Sequence, residues 1–127
     1  MKLATAIKTA ALTTVAAAAL VGAGTAGAWS SNSFSSPSGN IQCKYDWGHE
    51  VVSCRTLNDD WVAAVSLYGP SYKVRGGYYT SGQTLYYGQS WRVPGKFRCV
   101  SRTDGMTCVS TRTGHGFWTS RSAWRFF

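Results

Sequence analysis

Thr113-Gly114-His115-Gly116-Phe117 holds the side chain best suited to acid–base work in this chain. An imidazole titrates near neutral pH, and flanking glycines let the backbone approach a ligand closely. Nucleophilic catalysis would need a partner. Ser110, Ser120 and Ser122 are near in sequence, but no Gly-x-Ser-x-Gly elbow occurs. Glycoside cleavage would need two facing acids drawn from Asp46, Glu50, Asp59, Asp60 and Asp104. Asp104 is accounted for by a turn, Asp59-Asp60 follows Asn58 as a loop, and no spacing sets up a pair. No catalytic residue is assigned. His115 is the one candidate, with a structural role in a glycine-rich turn as the alternative. His49 falls at an expected hairpin tip, where exposure is a sufficient account.

Binding chemistry is better represented. Residues 91–127 carry Arg92, Lys96, Arg98, Arg102, Arg112, Arg121 and Arg125 against Asp104 alone. In residues 29–90, Lys44, Arg55, Lys73 and Arg75 meet Asp46, Glu50, Asp59 and Asp60, and the charges cancel. A basic surface attracts anionic polymers, phospholipid head groups or acidic partners. Keeping an aromatic-rich protein soluble is the competing use of these arginines. The six Trp and seven Tyr exceed what one small core hides easily. Exposed Trp and Tyr stack on sugar rings, and Tyr with Gly and Ser makes adaptable contact surfaces. Trp47, Trp61, Trp91 and Phe97 are expected in the core. Tyr72, Tyr78, Tyr79, Tyr86, Trp118 and Trp124 are left to form a site. The expected binding residues are Arg98, Arg102, His115, Trp118, Arg121, Tyr78 and Tyr79.

The elements that must position these groups begin after a leader. Lys2 and Lys8 precede an apolar, alanine-rich run from Thr9 to Ala28 that ends Ala26-Gly27-Ala28. That layout predicts a signal peptide over residues 1–28, cleaved after Ala28. A retained membrane anchor is the alternative, but Ala, Gly and Thr make the run weakly apolar. Trp29, not Cys, follows the site, so no lipid anchor is expected. Removing residues 1–28 leaves 99 of the 127 residues as one secreted β domain, residues 29–127. Removing Lys2 and Lys8 from the 13 Lys and Arg leaves 11 against 5 acids, a net charge of +6. Outside a cell nucleic acid is not an expected partner. No stable membrane insertion is expected after cleavage, and the protein is expected to be a monomer.

Cys43, Cys54, Cys99 and Cys108 all fall in that domain. An even count in an exported chain predicts two disulfides. Zinc is the alternative, but Cys-x-x-Cys is absent and only two histidines exist. No metal and no cofactor is expected. Ile41, Cys43, Tyr45 and Trp47 alternate with Gln42, Lys44 and Asp46. A two-residue type II′ turn at Gly48-His49 would then place Tyr45 opposite Val52 and Cys43 opposite Cys54. Opposed strand positions suit a disulfide. A second hairpin runs from Phe97 to Arg112 around Thr103-Asp104-Gly105. A two-residue Asp-Gly turn sets Cys99 and Cys108 diagonally on one face. A four-residue turn, Arg102 to Gly105, sets them directly opposite. The two hairpins predict Cys43–Cys54 and Cys99–Cys108 out of the three pairings that four cysteines allow, each bond worth about 3 kcal/mol by chain entropy. Arg98, Arg102, Thr107 and Thr111 then line the reverse face with Val100 and Val109.

Elsewhere, 29–33 is expected as a loose tail and Pro37-Ser38-Gly39-Asn40 as a turn. Trp61 to Leu67 is expected as a buried strand, with a short helix as the alternative. Tyr68 to Tyr87, rich in Tyr, Gly and Ser, predicts two irregular strands or a binding loop. Ser36 to Cys43 echoes Ser101 to Cys108 at matched spacing, from a duplication or from shared turn logic.

Three stretches carry a resemblance. They are Phe34-x-x-Pro37-Ser38-Gly39-Asn40-Ile41-x-Cys43, then Leu85-x-Tyr87-Gly88-x-x-Trp91, then Phe97-x-Cys99-x-Ser101-x-x-x-Gly105-Met106-Thr107-Cys108. The last runs into Gly114-His115-Gly116-Phe117-x-x-Ser120-Arg121. In this order the chain resembles a family of small exported proteins found mainly in actinobacteria. The resemblance implies export and one small domain, and implies no activity, ligand or catalytic residue. Members carry further cysteines in the middle, where this chain has none.

The expected fold is all-β, a small disulfide-stapled antiparallel sandwich or partly open barrel. The expected function is non-catalytic binding of a cell-envelope glycan or anionic wall polymer. A small hydrolase using His115, and a secreted inhibitor or toxin that binds another protein, are the alternatives.

Overall fold

The computed structural model describes residues 31–57 and 60–127. The expected signal peptide therefore lies outside the described residues, as do Trp29, Ser30, Asn58 and Asp59. Two sheets make up the fold, with no helix among the described residues. The first contains β1 (Ser33–Ser35), β2 (Ile41–Asp46), β3 (Val51–Thr56), β4 (Trp61–Ser66), β5 (Ser71–Arg75) and β6 (Gln83–Thr84). Its spatial order is β5-β4-β3-β2-β1-β6. The second contains β7 (Ser90–Val93), β8 (Phe97–Arg102), β9 (Gly105–Ser110), β10 (Gly116–Thr119) and β11 (Trp124–Phe126). Its order is β11-β10-β9-β8-β7. The sheets do not close into a barrel. All pairings are antiparallel except β1 with β6. Trp61 to Ser66 is a strand rather than a helix, and the stretch after Tyr68 supplies two short strands.

Period-two alternation builds the core. Inward positions of both sheets form one cluster that includes Phe34, Val52, Leu85, Trp91, Phe97 and Phe117. Across the first sheet Phe34, Cys43, Cys54 and Ala63 stand opposite one another in a row. Across the second the row is Trp91, Cys99, Cys108, Phe117 and Phe126. The rows meet where Cys54 Sγ lies 3.8 Å from Cys108 Sγ. Both expected disulfides, Cys43–Cys54 and Cys99–Cys108, are formed, with Cα separations of 4.0 and 4.1 Å. Phe34 and Trp91 stack at 4.6 Å, and the Trp91 indole donates to the Ser31 carbonyl at 2.8 Å. That bond spares a buried N–H from going unpaired. Ser33 belongs to β1, so the expected loose tail is corrected at its last residue, which pairs with Lys44 of β2.

The first hairpin has the expected register, Tyr45 opposite Val52 and Cys43 opposite Cys54. Its turn differs. Pairing ends at Asp46 and Val51, and Glu50, not Gly48, takes positive φ, at 55°. The Asp46 carboxylate accepts the N–H groups of Gly48 and His49 at 3.1 and 3.2 Å. Those bonds stabilise a four-residue turn over the type II′ alternative. Trp47 then sits in the turn, past the alternation, and is 70 % exposed instead of in the core. Trp61, also expected inside, is only half-buried. The second hairpin adopts the directly opposed register, but Arg102 and Gly105 pair with each other, so the turn is the two residues Thr103-Asp104 rather than Asp104-Gly105 or the four from Arg102 to Gly105. The internal echo is structural: Cys43 pairs with Phe34 across one turn as Cys108 pairs with Cys99 across the other.

Glu50 ties the two sheets together. Lys96 Nζ donates to Glu50 Oε1 at 2.8 Å, and the Tyr45 hydroxyl donates to Oε2 at 3.1 Å. The Lys96 bond holds Glu50 below the usual carboxylate range. Burial, reinforced by Glu50, pushes the Tyr45 hydroxyl up to about 12. A depressed acid adds stability above its unfolded pKa of about 4.3 and loses it as pH falls through the folded value. A raised tyrosine adds stability below about pH 10 and loses it as pH climbs through the folded value. Glu50→Gln should therefore flatten the acid limb of a plot of urea midpoint against pH. An acid limb identical to that of the unsubstituted protein would show that the Lys96 contact contributes nothing.

Candidate functional site

The outward face of the second sheet gathers the basic residues. On β8, Phe97, Cys99 and Ser101 point inward, so Arg98, Val100 and Arg102 point out. Register extends this face: Arg92 stands opposite Arg98, and Thr107, Trp118 and Arg125 stand across from Val100 in successive strands. Val100, Thr107, Val109 and Trp118 form a half-buried floor, and Arg92, Arg98, Arg102 and Arg125 stand exposed around it. No Asp or Glu occurs in β7 to β11. Like charges directly opposite one another disfavour a strand pair. Arg92 and Arg98 nevertheless face each other, and among the described residues Arg98 hydrogen-bonds only the Ser90 hydroxyl, at 3.3 Å. The Arg125 guanidinium lies 4.7 Å from the Trp118 ring centroid. A rigid floor with an arginine rim can accept a flat sugar and an anionic group together.

Arg102 also belongs to a cleft of about 410 Å³ at one end of the fold. Three turns enclose it: Ser36 to Ile41, Arg102 to Gly105, and Ser120 to Ser122, with Tyr87 beside them. The first two are the echoed segments. Serine hydroxyls, Arg102, Arg121 and the single acid Asp104 line it.

No family model, curated protein or solved structure matches this chain. The geometry is therefore the ground for function. It brings Arg98, Arg102 and Trp118 onto one face, and Arg102 and Arg121 into one cleft. It leaves His115 apart. His115 is exposed, its backbone N–H bonds the Thr113 hydroxyl at 3.1 Å, and its carbonyl accepts from Ser110 at 2.8 Å. Its ring has no hydrogen-bond partner among the described residues, and it lines none of the described clefts.

Tyr78 and Tyr79 lie on the other sheet. Tyr78 is 82 % exposed, and its carbonyl accepts Lys44 Nζ at 3.2 Å. Tyr79 packs over the outer face of the first sheet, its hydroxyl 2.8 Å from that of Ser53. Lys44 and Arg55 flank its ring at 4.6 and 5.5 Å. Burial raises its pKa, against the Ser53 bond. It borders a groove of about 370 Å³ with Tyr72 and Val74. Arg92 and Arg125 join the face without having been expected there. Alternation along β7 and β11 would have found them had those strands been recognised. The cleft serines carry no local signal, because only tertiary packing brings the turns together.

Proposed function

We propose that this protein is a non-catalytic exported binding module for a cell-envelope glycan or anionic wall polymer. The outer face of the second sheet is the contact surface. One observation carries the reading: four exposed arginines share the outward face of the second sheet with Trp118, on strands that contain no acid, and Arg125 lies against the Trp118 ring. Two buried disulfides suit an oxidising compartment. The resemblance to small exported actinobacterial proteins points the same way.

Pull-down on purified wall material at stepped salt concentration tests it. Binding should weaken as salt rises, because exposed charges are screened. Arg92→Glu with Arg98→Glu should cost about tenfold or more in affinity at low salt, with an unchanged thermal midpoint. Absence of binding at every salt concentration would overturn the reading.

A further inference from the structure

The cleft at the end of the fold holds an arrangement of donors that the open face does not require. We infer that it is a subsite for one phosphate-type oxyanion carried on a polyol or sugar. This rests on the preceding reading and names the chemical class of its ligand.

Hydroxyl accounting carries the argument. A serine hydroxyl has one proton to donate and two lone pairs. Ser120 Oγ accepts the N–H groups of Ser122 and Ala123 at 3.3 and 3.1 Å. Both lone pairs are engaged, so its proton is available to the cleft. Ser36 Oγ accepts from the Ile41 N–H at 3.2 Å, and Ser38 Oγ accepts from the Asn40 N–H at 3.3 Å. These two hydroxyls lie 3.3 Å apart. One proton fills the gap between them, and the second is spare. The turns thus spend hydroxyl acceptors on their own backbone and leave donors unspent.

The charges complete the set. Arg102 and Arg121 have no hydrogen bond or ion pair among the described residues, although both line the cleft. Asp104 lines it too, without pairing with either arginine. Two cations and one anion leave a net positive cleft. A carboxylate presents two oxygens in a plane, which one arginine fork satisfies. Donors on separate turns instead suit the several oxygens of a tetrahedral phosphate. Asp104 disfavours a bare polyanion and supplies an acceptor for a neighbouring hydroxyl. Tyr87, half-exposed at the rim, offers a ring face to a sugar or polyol chain.

Amide chemical-shift titration of the whole secreted domain with glycerol 1-phosphate, glycerol and galacturonate tests the subsite. Glycerol 1-phosphate should shift the amides of Asn40, Asp104 and Ser122, with glycerol and galacturonate much weaker. Arg121→Gln, at an exposed turn position, should cost about tenfold or more in phosphate affinity. Arg102→Gln should do the same, which guards against a misfolded single variant. Asp104→Asn should reduce the preference for glycerol 1-phosphate over inorganic phosphate. No shift at the cleft, or equal binding of galacturonate there, overturns the subsite. Cleft shifts without any wall binding would uphold the subsite and overturn the polymer reading alone.

Discussion

Cys43→Ala with Cys54→Ala should lower the unfolding free energy by about 3 kcal/mol and the thermal midpoint by on the order of 10–20 °C. The bond closes a loop of sequence separation 11, and Cys99–Cys108 closes one of 9. Loop entropy depends only logarithmically on length, so it gives the two bonds nearly equal weight. Packing adds a further term. All four cysteines are fully buried, and the two disulfides touch through Cys54 and Cys108. Removing either pair of sulfurs opens space between the sheets, where lost contacts carry their own cost. The pairs share a cavity, so the quadruple alanine variant should depart from the sum of the two doubles. Urea unfolding followed by tryptophan fluorescence measures all four proteins. A double variant as stable as the parent would show that the hydrophobic rows suffice without the staples.

Those bonds were legible because they depend on local register. Alternation from Ile41 to Asp46 fixed which face each residue occupied. Cys43 and Cys54 then fall opposite each other across one hairpin. The second hairpin was legible less deeply, since two registers satisfied its cysteines, but both turned Arg98 and Arg102 outward. The turn was less legible. Gly48 suggested a positive-φ corner, but the Asp46 side chain gathered two amides and moved that strain to Glu50. The same shift carried Trp47 into solvent. Bulk and apolarity alone do not say whether a tryptophan falls inside or beyond the last paired residue. The cleft was not legible at all. Ser36, Arg102 and Ser120 sit on turns far apart in the chain, and only stacking of the two sheets makes them neighbours. Tyr78 and Tyr79 failed to join the arginines for the converse reason, since their loop follows the first sheet.

Gly116→Ala should be the most damaging single change in the Gly-His-Gly segment, at about 2–4 kcal/mol. The reason is proximity. A Cβ at Gly116 would lie 2.3 Å from the Cys108 carbonyl oxygen and 3.0 Å from Val109 Cα. Both are backbone atoms of β9, so β9 and β10 must move apart to admit it. Gly116 also exchanges two backbone hydrogen bonds with Phe127, each 3.0 Å, so it cannot retreat without loosening β11. Gly114→Ala meets open space, but its φ of +82° favours glycine, and about 1 kcal/mol is expected. His115→Ala removes an exposed ring and should fall within about 0.5 kcal/mol of the parent. Thermal and urea unfolding of the three variants would show that gradient. A ligand-binding histidine between permissive glycines predicts the opposite emphasis, with function rather than stability lost at His115. A His115→Ala protein of parental stability that has lost a measurable hydrolytic activity would restore the catalytic reading. The steric demand at Gly116 gives the motif a part in strand closure, where its two glycines are needed for different reasons.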